Sequence, residues 1–170
     1  MIFALPLVLG LWSSTRAGSD PKTAQSPPLI GNWTYRSWIN DPERVDAAPT
    51  DKICERLKKL LFAEATLTIE DVSGGELRGK LDMGESGTLT LFGSVGYGSP
   101  FSVRFQGVGK GIGSPSEGWV YDYIGWLVPV WPNGVDQKPA IVGSVVRTVP
   151  HSNGQAKAGK VASFVAVKQD

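Results

Sequence analysis

Between Gly118 and Thr148 the chain carries two apolar runs around one turn signal, and this stretch constrains the fold more than any other. Residues 118–131 (GWVYDYIGWLVPVW) are rich in aromatic and β-branched types, with Gly125 and Pro129 interrupting; PNGVDQK follows, and residues 139–148 (PAIVGSVVRT) run back. Asn133-Gly134 between two such runs is strong hairpin evidence, because both residues accept the backbone angles of a tight turn. With Trp131 set opposite Pro139, Tyr123 falls across from Arg147 and Trp119 across from His151. All four then share one face, since strand side chains alternate with period two.

The same alternation recurs along the chain. Residues 31–39 (GNWTYRSWI) place Trp33, Tyr35 and Ser37 on one face. In the second predicted strand, Ala63 to Glu70, the residues Ala63, Ala65, Leu67 and Ile69 oppose Glu64, Thr66, Thr68 and Glu70. In the third, Glu76 to Met83, an apolar set from Leu77 to Met83 opposes Glu76, Arg78, Lys80 and Asp82. Gly87 to Gly93 turns Leu89 and Leu91 inward, and Phe101 to Val108 turns Phe101, Val103 and Phe105 inward. The expected registers set Ile69 against Leu77, Leu81 against Leu89, Leu91 against Val103 and Gly93 against Phe101. They also set Phe105 against Trp119 and Arg147 against Val161, so that Val161, Ser163, Val165 and Val167 of the last strand, Lys160 to Lys168, face inward. A slip by one residue in any pair would turn an apolar face to solvent. Consecutive neighbours joined by turns make a meander, and about eight strands suffice to close one around side chains or a small ligand. The fold class is therefore all-β: an eight-stranded antiparallel up-and-down barrel over residues 31–168. Residues 51–61 (DKICERLKKLL), with Ile53, Leu57, Leu60 and Leu61 at helical spacing and Asp51 as N-cap, read as one short helix after the first strand.

Residues 1–17 read as a signal peptide. Ile2 to Trp12 is apolar but too short to span a bilayer, and Thr15-Arg16-Ala17 ends in a small residue suited to cleavage, although a basic leading segment is missing. A buried or disordered N-terminus is the alternative. Residues 18–30 read as a flexible leader, and the expected location is secreted or periplasmic. Lys and Arg number 17 against 16 Asp and Glu, which leaves no basic footprint for nucleic acid. The single Cys54 rules out an internal disulfide and a cysteine zinc cluster, and the single His151 rules out a multi-histidine metal site. No phosphate loop, G-x-S-x-G or metal spacing occurs, so neither metal nor cofactor is expected, and no stretch after the signal segment is long enough for a membrane helix.

The polar residues expected inside the barrel are few: Tyr35, Ser37, Tyr121, Tyr123, Arg147 and Ser163. A guanidinium inside a barrel must be paired, hydrogen-bonded or wet, because an unpaired buried charge costs several kcal/mol. Arg147 therefore either binds a ligand carboxylate, phosphate or carbonyl, or is a structural arginine stacked on Trp33 or Tyr123 and satisfied by backbone carbonyls. The ligand-binding candidates are Arg147, Tyr121, Tyr123, Trp33, Tyr35, Ser163 and Trp119; His151 and Tyr123 are the candidates for acid–base chemistry. Inward glycines, Gly125 and Gly143 among them, leave volume for a cavity. On the outside, Ile124, Trp126, Val146 and Phe164 belong to a broad apolar surface expected to join copies of the chain into a homo-oligomer, or else to be covered by the helix and leader.

The Gly31-Asn32-Trp33 opening of the first strand, the meander and an inward arginine able to cap that tryptophan resemble the calycins, the barrel group of lipocalins and avidin-like proteins. The arginine stands on the penultimate strand, a helix follows strand one, and the biotin-contact pattern of avidins is not recognisable. The resemblance implies binding of a small apolar or amphipathic molecule in the barrel. Three functions follow as expectations. The first is an exported barrel holding a largely apolar ligand with one anionic or carbonyl group. The second is a cyclase or isomerase, similar to allene oxide cyclase-like barrels, steering a reaction with Arg147 and tyrosines. The third is an interaction module using the outer face.

Overall fold

The computed structural model describes residues 29–40 and 60–170. Within them run eight strands: β1 (Gly31–Ile39), β2 (Leu61–Asp71), β3 (Glu76–Asp82), β4 (Thr88–Gly96), β5 (Ser102–Gly109), β6 (Val120–Leu127), β7 (Ala140–Arg147) and β8 (Val161–Lys168). Each pairs antiparallel with the next, and β1 pairs with β8, so the sheet closes into a barrel in sequence order. The expected signal segment, the leader up to residue 28 and residues 51–59 of the expected helix lie outside the described residues. Of the two described residues of that stretch, Leu60 is helical and Leu61 opens β2 instead; elsewhere among the described residues a 3-10 turn spans Gly84–Ser86. No helix among the described residues is long and apolar enough to cross a membrane.

The alternation in the sequence is what builds the barrel. In β3, Leu77, Gly79 and Leu81 are buried while Glu76, Arg78, Lys80 and Asp82 are exposed. The interior is filled by Trp33, Tyr35, Leu67, Ile69, Leu77, Leu81, Leu89, Leu91, Val103, Ile141 and Phe164, all nearly solvent-free. Burying each such side chain stabilises the fold by about 1.5–3 kcal/mol. Leu81 pairs with Leu89 as expected. Elsewhere Ile69 meets Gly79, Leu91 meets Gly107, Gly93 and Tyr123 both meet Phe105, and Tyr121 rather than Tyr123 meets Arg147. These displacements are by even numbers of residues, so each strand keeps its inward face. The β6–β7 hairpin is also shorter than expected: residues 128–139 form its connection, where Pro129, Pro132 and Pro139 cannot donate to a ladder.

Strand β8 is turned the other way. Val145 pairs with Ala162 and Gly143 with Phe164, so Ala162, Phe164 and Ala166 are buried, while Val161, Ser163, Val165 and Val167 face out. The cause is Phe164, the largest apolar side chain on the strand. Its ring lies over Gly125 and Gly143, where an added Cβ would come within 2.9 and 2.8 Å of ring atoms. These two glycines make a seat for the ring rather than an empty lumen. Phe164 stacks on Tyr35 with centroids 5.4 Å apart and meets Tyr123 edge-on at 6.1 Å, and Tyr123 stacks on Phe105 at 4.6 Å. A column of rings thus fills the middle of the barrel.

One end of the barrel is shut. Leu29 is fully buried there, its carbonyl accepts a hydrogen bond from Nε1 of Trp33 at 2.9 Å, and Nζ of Lys168 lies 5.5 Å from the Trp33 ring centroid. The cation over Trp33 is therefore Lys168, on the last strand, and not Arg147.

Candidate functional site

At the other end, where β1–β2, β3–β4, β5–β6 and β7–β8 connect, the described residues form a rim around a cavity. Strands β6 and β7 bring Tyr121 and Arg147 face to face as a register pair. Two connections then deliver Trp119 and His151. Ser116, fully buried, donates its hydroxyl to the Thr88 carbonyl (2.9 Å) and accepts the amide of Lys110 (3.2 Å), which anchors the β5–β6 connection just before Trp119. In β7–β8, His151 and Ala156 exchange two backbone hydrogen bonds of 3.0 and 3.2 Å around a turn. Ser152 and Asn153 both have φ of 53° there and Gly154 has 81°, left-handed values that suit Asn and Gly. The turn fixes His151 inward, and the residue is only 8% exposed.

The four side chains interlock. Nε2 of His151 lies 2.7 Å from the Tyr121 hydroxyl, and Nδ1 lies 2.9 Å from Oγ of Ser152. Arg147 donates from Nε to the Tyr121 oxygen at 3.3 Å and from Nη1 to the Lys157 carbonyl at 3.1 Å. Trp119 stacks on the imidazole, centroids 4.6 Å apart and planes 26° apart. Burial, and after it the Arg147 guanidinium, lower the His151 pKa below its ordinary value and favour the neutral ring. One assignment of protons satisfies every contact: Arg147 donates to the phenol oxygen, the phenol donates to Nε2, and Nδ1–H donates to Ser152.

Beneath this rim is a cavity of about 200 Å³ with a largely apolar wall that includes Leu81, Met83, Leu89 and Phe62. Tyr35 and Tyr123 line it from below. Burial raises the pKa of both phenols far above the ordinary value, with Ser37 partly offsetting the effect at Tyr35, so each stays protonated. Among the described residues the Tyr123 hydroxyl makes no hydrogen bond although the residue is only 5% exposed. Among the described residues no carboxylate pairs with Arg147, and no group of three or more His, Cys, Asp or Glu gathers to hold a metal.

Of the residues singled out in the sequence, Arg147, Tyr121, Trp119 and His151 form the rim, with Tyr35 and Tyr123 below. Two do not belong. Trp33 is at the shut end, and Ser163 is on the outer surface, sharing hydrogen bonds of 2.9 and 3.1 Å with Asn40. Phe62 was missed. The pairing of β1 with β2 steps from Ser37–Ala63 to Trp38–Leu61, leaving Phe62 as the extra residue of a bulge. Its ring meets Tyr121 edge-on at 6.1 Å and lies under the Arg147 guanidinium at 5.4 Å. Bulges re-aim side chains beside sites, and alternation alone gives no sign of one.

Compared with known proteins, the chain matches no family model, no curated protein and no solved structure.

Proposed function

We propose that the barrel binds a small, largely apolar molecule through one carbonyl or carboxylate oxygen at the end that holds Arg147. The buried Tyr123 hydroxyl, which has no hydrogen-bond partner among the described residues, carries this reading. An unsatisfied buried donor costs about 1–3 kcal/mol, which a ligand oxygen in the cavity recovers. Arg147 adds a charged donor at the same cavity, and the apolar wall takes the rest of the molecule. The cavity, at about 200 Å³, is small for a drug-sized ligand, whose pockets span about 300–1,000 Å³. A ring the size of benzene occupies an engineered cavity of about 150 Å³, so the fit is a single ring bearing one polar group. The short Gly31-Asn32-Trp33 likeness to calycins agrees with this reading, and export through the 1–17 segment is part of the same proposal.

The test is a titration of cyclohexanecarboxylate and cyclohexanone followed by amide and indole NMR shifts. Saturable shifts at Trp119, Tyr121, Arg147 and His151, lost in Arg147→Leu at unchanged melting temperature, are expected for the carboxylate. Absence of rim shifts with both compounds refutes the reading.

A second reading concerns the outside of the barrel. Phe164 is in the core and contributes nothing there, but Trp126 (42% exposed), Val142 (38%), Val161 (45%) and Val167 (37%) still leave an apolar band on β6–β8. Beside it lies a groove of about 490 Å³ edged by Phe92, Arg104, Asp122, Ile124, Val146 and Val161. Arg104 and Asp122 on neighbouring strands are charges of opposite sign that a two-fold axis would set against each other. We propose a second copy of the chain as the partner of this face.

A further inference from the structure

Three features of the rim act together on the Tyr121 proton. The phenol is 2.7 Å from an imidazole nitrogen. The oxygen it would leave behind already accepts from Nε of Arg147. The imidazolium that would form lies flat against Trp119, whose π face favours a cation. The guanidinium thus meets the phenolate oxygen and the indole face meets the imidazolium before any substrate arrives, while burial and Arg147 hold the resting ring neutral and able to accept a proton. A structural hydrogen bond would need neither the guanidinium nor the stacked indole, nor an opening onto a cavity.

We infer that Tyr121, with His151 behind it, is a general base for small enolisable ketones, shifting a proton at the carbon next to the carbonyl. This rests on the ligand-binding reading above and names the substrate class of that site. In the step, the α-carbon gives its proton to the Tyr121 oxygen as the phenolic proton moves to Nε2 of His151. The C–H electron pair forms the enolate double bond, and the carbonyl oxygen takes the negative charge. Arg147, with the Tyr123 hydroxyl, donates to that oxygen. Return of a proton from His151 through Tyr121 to carbon completes the cycle, so the protein is regenerated and no other reactant is consumed. Tyr121 touches the substrate; His151 is a positioning and proton-accepting residue that acts through it.

The experiment uses cyclohexanone in D2O with the full chain at neutral pH. Loss of the α-proton NMR signal reports carbon exchange, and saturation transfer from the protein reports binding in the same tube. The wild type is expected to exchange the α-protons about 100-fold faster than an equal concentration of free imidazole, within the usual range for a positioned acid–base group. Tyr121→Phe, which keeps the ring, should lose that acceleration while saturation transfer persists. In the wild type the rate should fall on acidification through the lowered His151 titration, and in His151→Gln that step should vanish. Saturation transfer without accelerated exchange, or Tyr121→Phe exchanging as fast as wild type, overturns the relay and leaves the binding reading standing. Absence of saturation transfer from cyclohexanone overturns the relay, and the binding reading falls with it when cyclohexanecarboxylate gives none either.

Discussion

Replacing Phe164 by alanine removes a ring that is 1% exposed and held on both sides by other rings, Tyr35 at 5.4 Å and Tyr123 at 6.1 Å. The floor of the vacated space is Gly125 and Gly143, which have no side chains to move into it. Truncating a buried aromatic costs about 3–5 kcal/mol, and the cost is highest where the surroundings cannot collapse. The two ring contacts, each worth about 0.5–1.5 kcal/mol, point the same way. A loss of about 4–5 kcal/mol is expected. With a urea slope of about 2 kcal/mol/M, the unfolding midpoint followed by circular dichroism should drop by about 2 M. Val165→Ala, half-buried on the outer face of the same strand, should cost about 1 kcal/mol, the centre of the range for single substitutions. A midpoint shift below about 0.5 M for Phe164→Ala, or an equal or larger one for Val165→Ala, would mean that β8 faces the other way and would undo the argument about its glycine seat.

Acidification should destabilise the barrel through His151. Its folded pKa lies below the unfolded value of 6.5, so the unfolded state binds more protons as pH falls. Stability should decline from about pH 6.5 down to the folded value, by at most about 1.4 kcal/mol per pH unit, and His151→Gln should flatten that part of the curve; an unchanged slope counts against the buried neutral ring. At alkaline pH the sign reverses for Tyr35 and Tyr123, whose folded pKa values lie above 10.0, so stability is lost as pH rises past that value. Phenolate absorbance should show these two ionising only together with unfolding, and early reversible titration of all 4 tyrosines would contradict their burial. For the outer face, Trp126→Glu should convert a dimer seen by light scattering into a monomer that keeps the wild-type circular dichroism spectrum and whose melting temperature no longer depends on concentration; a wild type that is monomeric at high concentration removes the second-copy reading.

Strands such as Glu76–Asp82 were readable because charged and apolar residues alternate without exception, so the inward face is set by local polarity. The closed meander followed from several such strands in a row. Strand β8 was not readable in the same way. Both of its faces are apolar, Val161, Val165 and Val167 against Ala162, Phe164 and Ala166, and β-branched residues suggested the wrong one. What decides the matter lies on other strands, in the absence of side chains at Gly125 and Gly143. That error placed Ser163 in the cavity and Phe164 on the surface. The rim was more legible, because a hairpin register error of two residues preserves faces, so Trp119, Tyr121 and Arg147 stayed on the inside. His151 then reached Trp119 through a turn built on Ser152, Asn153 and Gly154. Trp33 fell at the shut end because strand alternation gives a side chain's face and says nothing about its height along the barrel. Phe62 needed a bulge, which depends on how β1 and β2 meet rather than on either alone.

The seam between β1 and β8 has a consequence for how the chain can be cut and rejoined. The Gln169 amide donates to the Asn32 carbonyl at 2.8 Å, and Nζ of Lys168 donates to the Ile30 carbonyl at 2.9 Å, so the two ends of the barrel segment lie side by side. A few glycines would bridge them, and new termini could then be opened at the exposed connection around Gly134, far from the rim. Such a circular permutant would keep all eight strand pairings and the Tyr121–His151–Arg147 cluster in one piece, while moving the chain ends away from the β1–β8 seam.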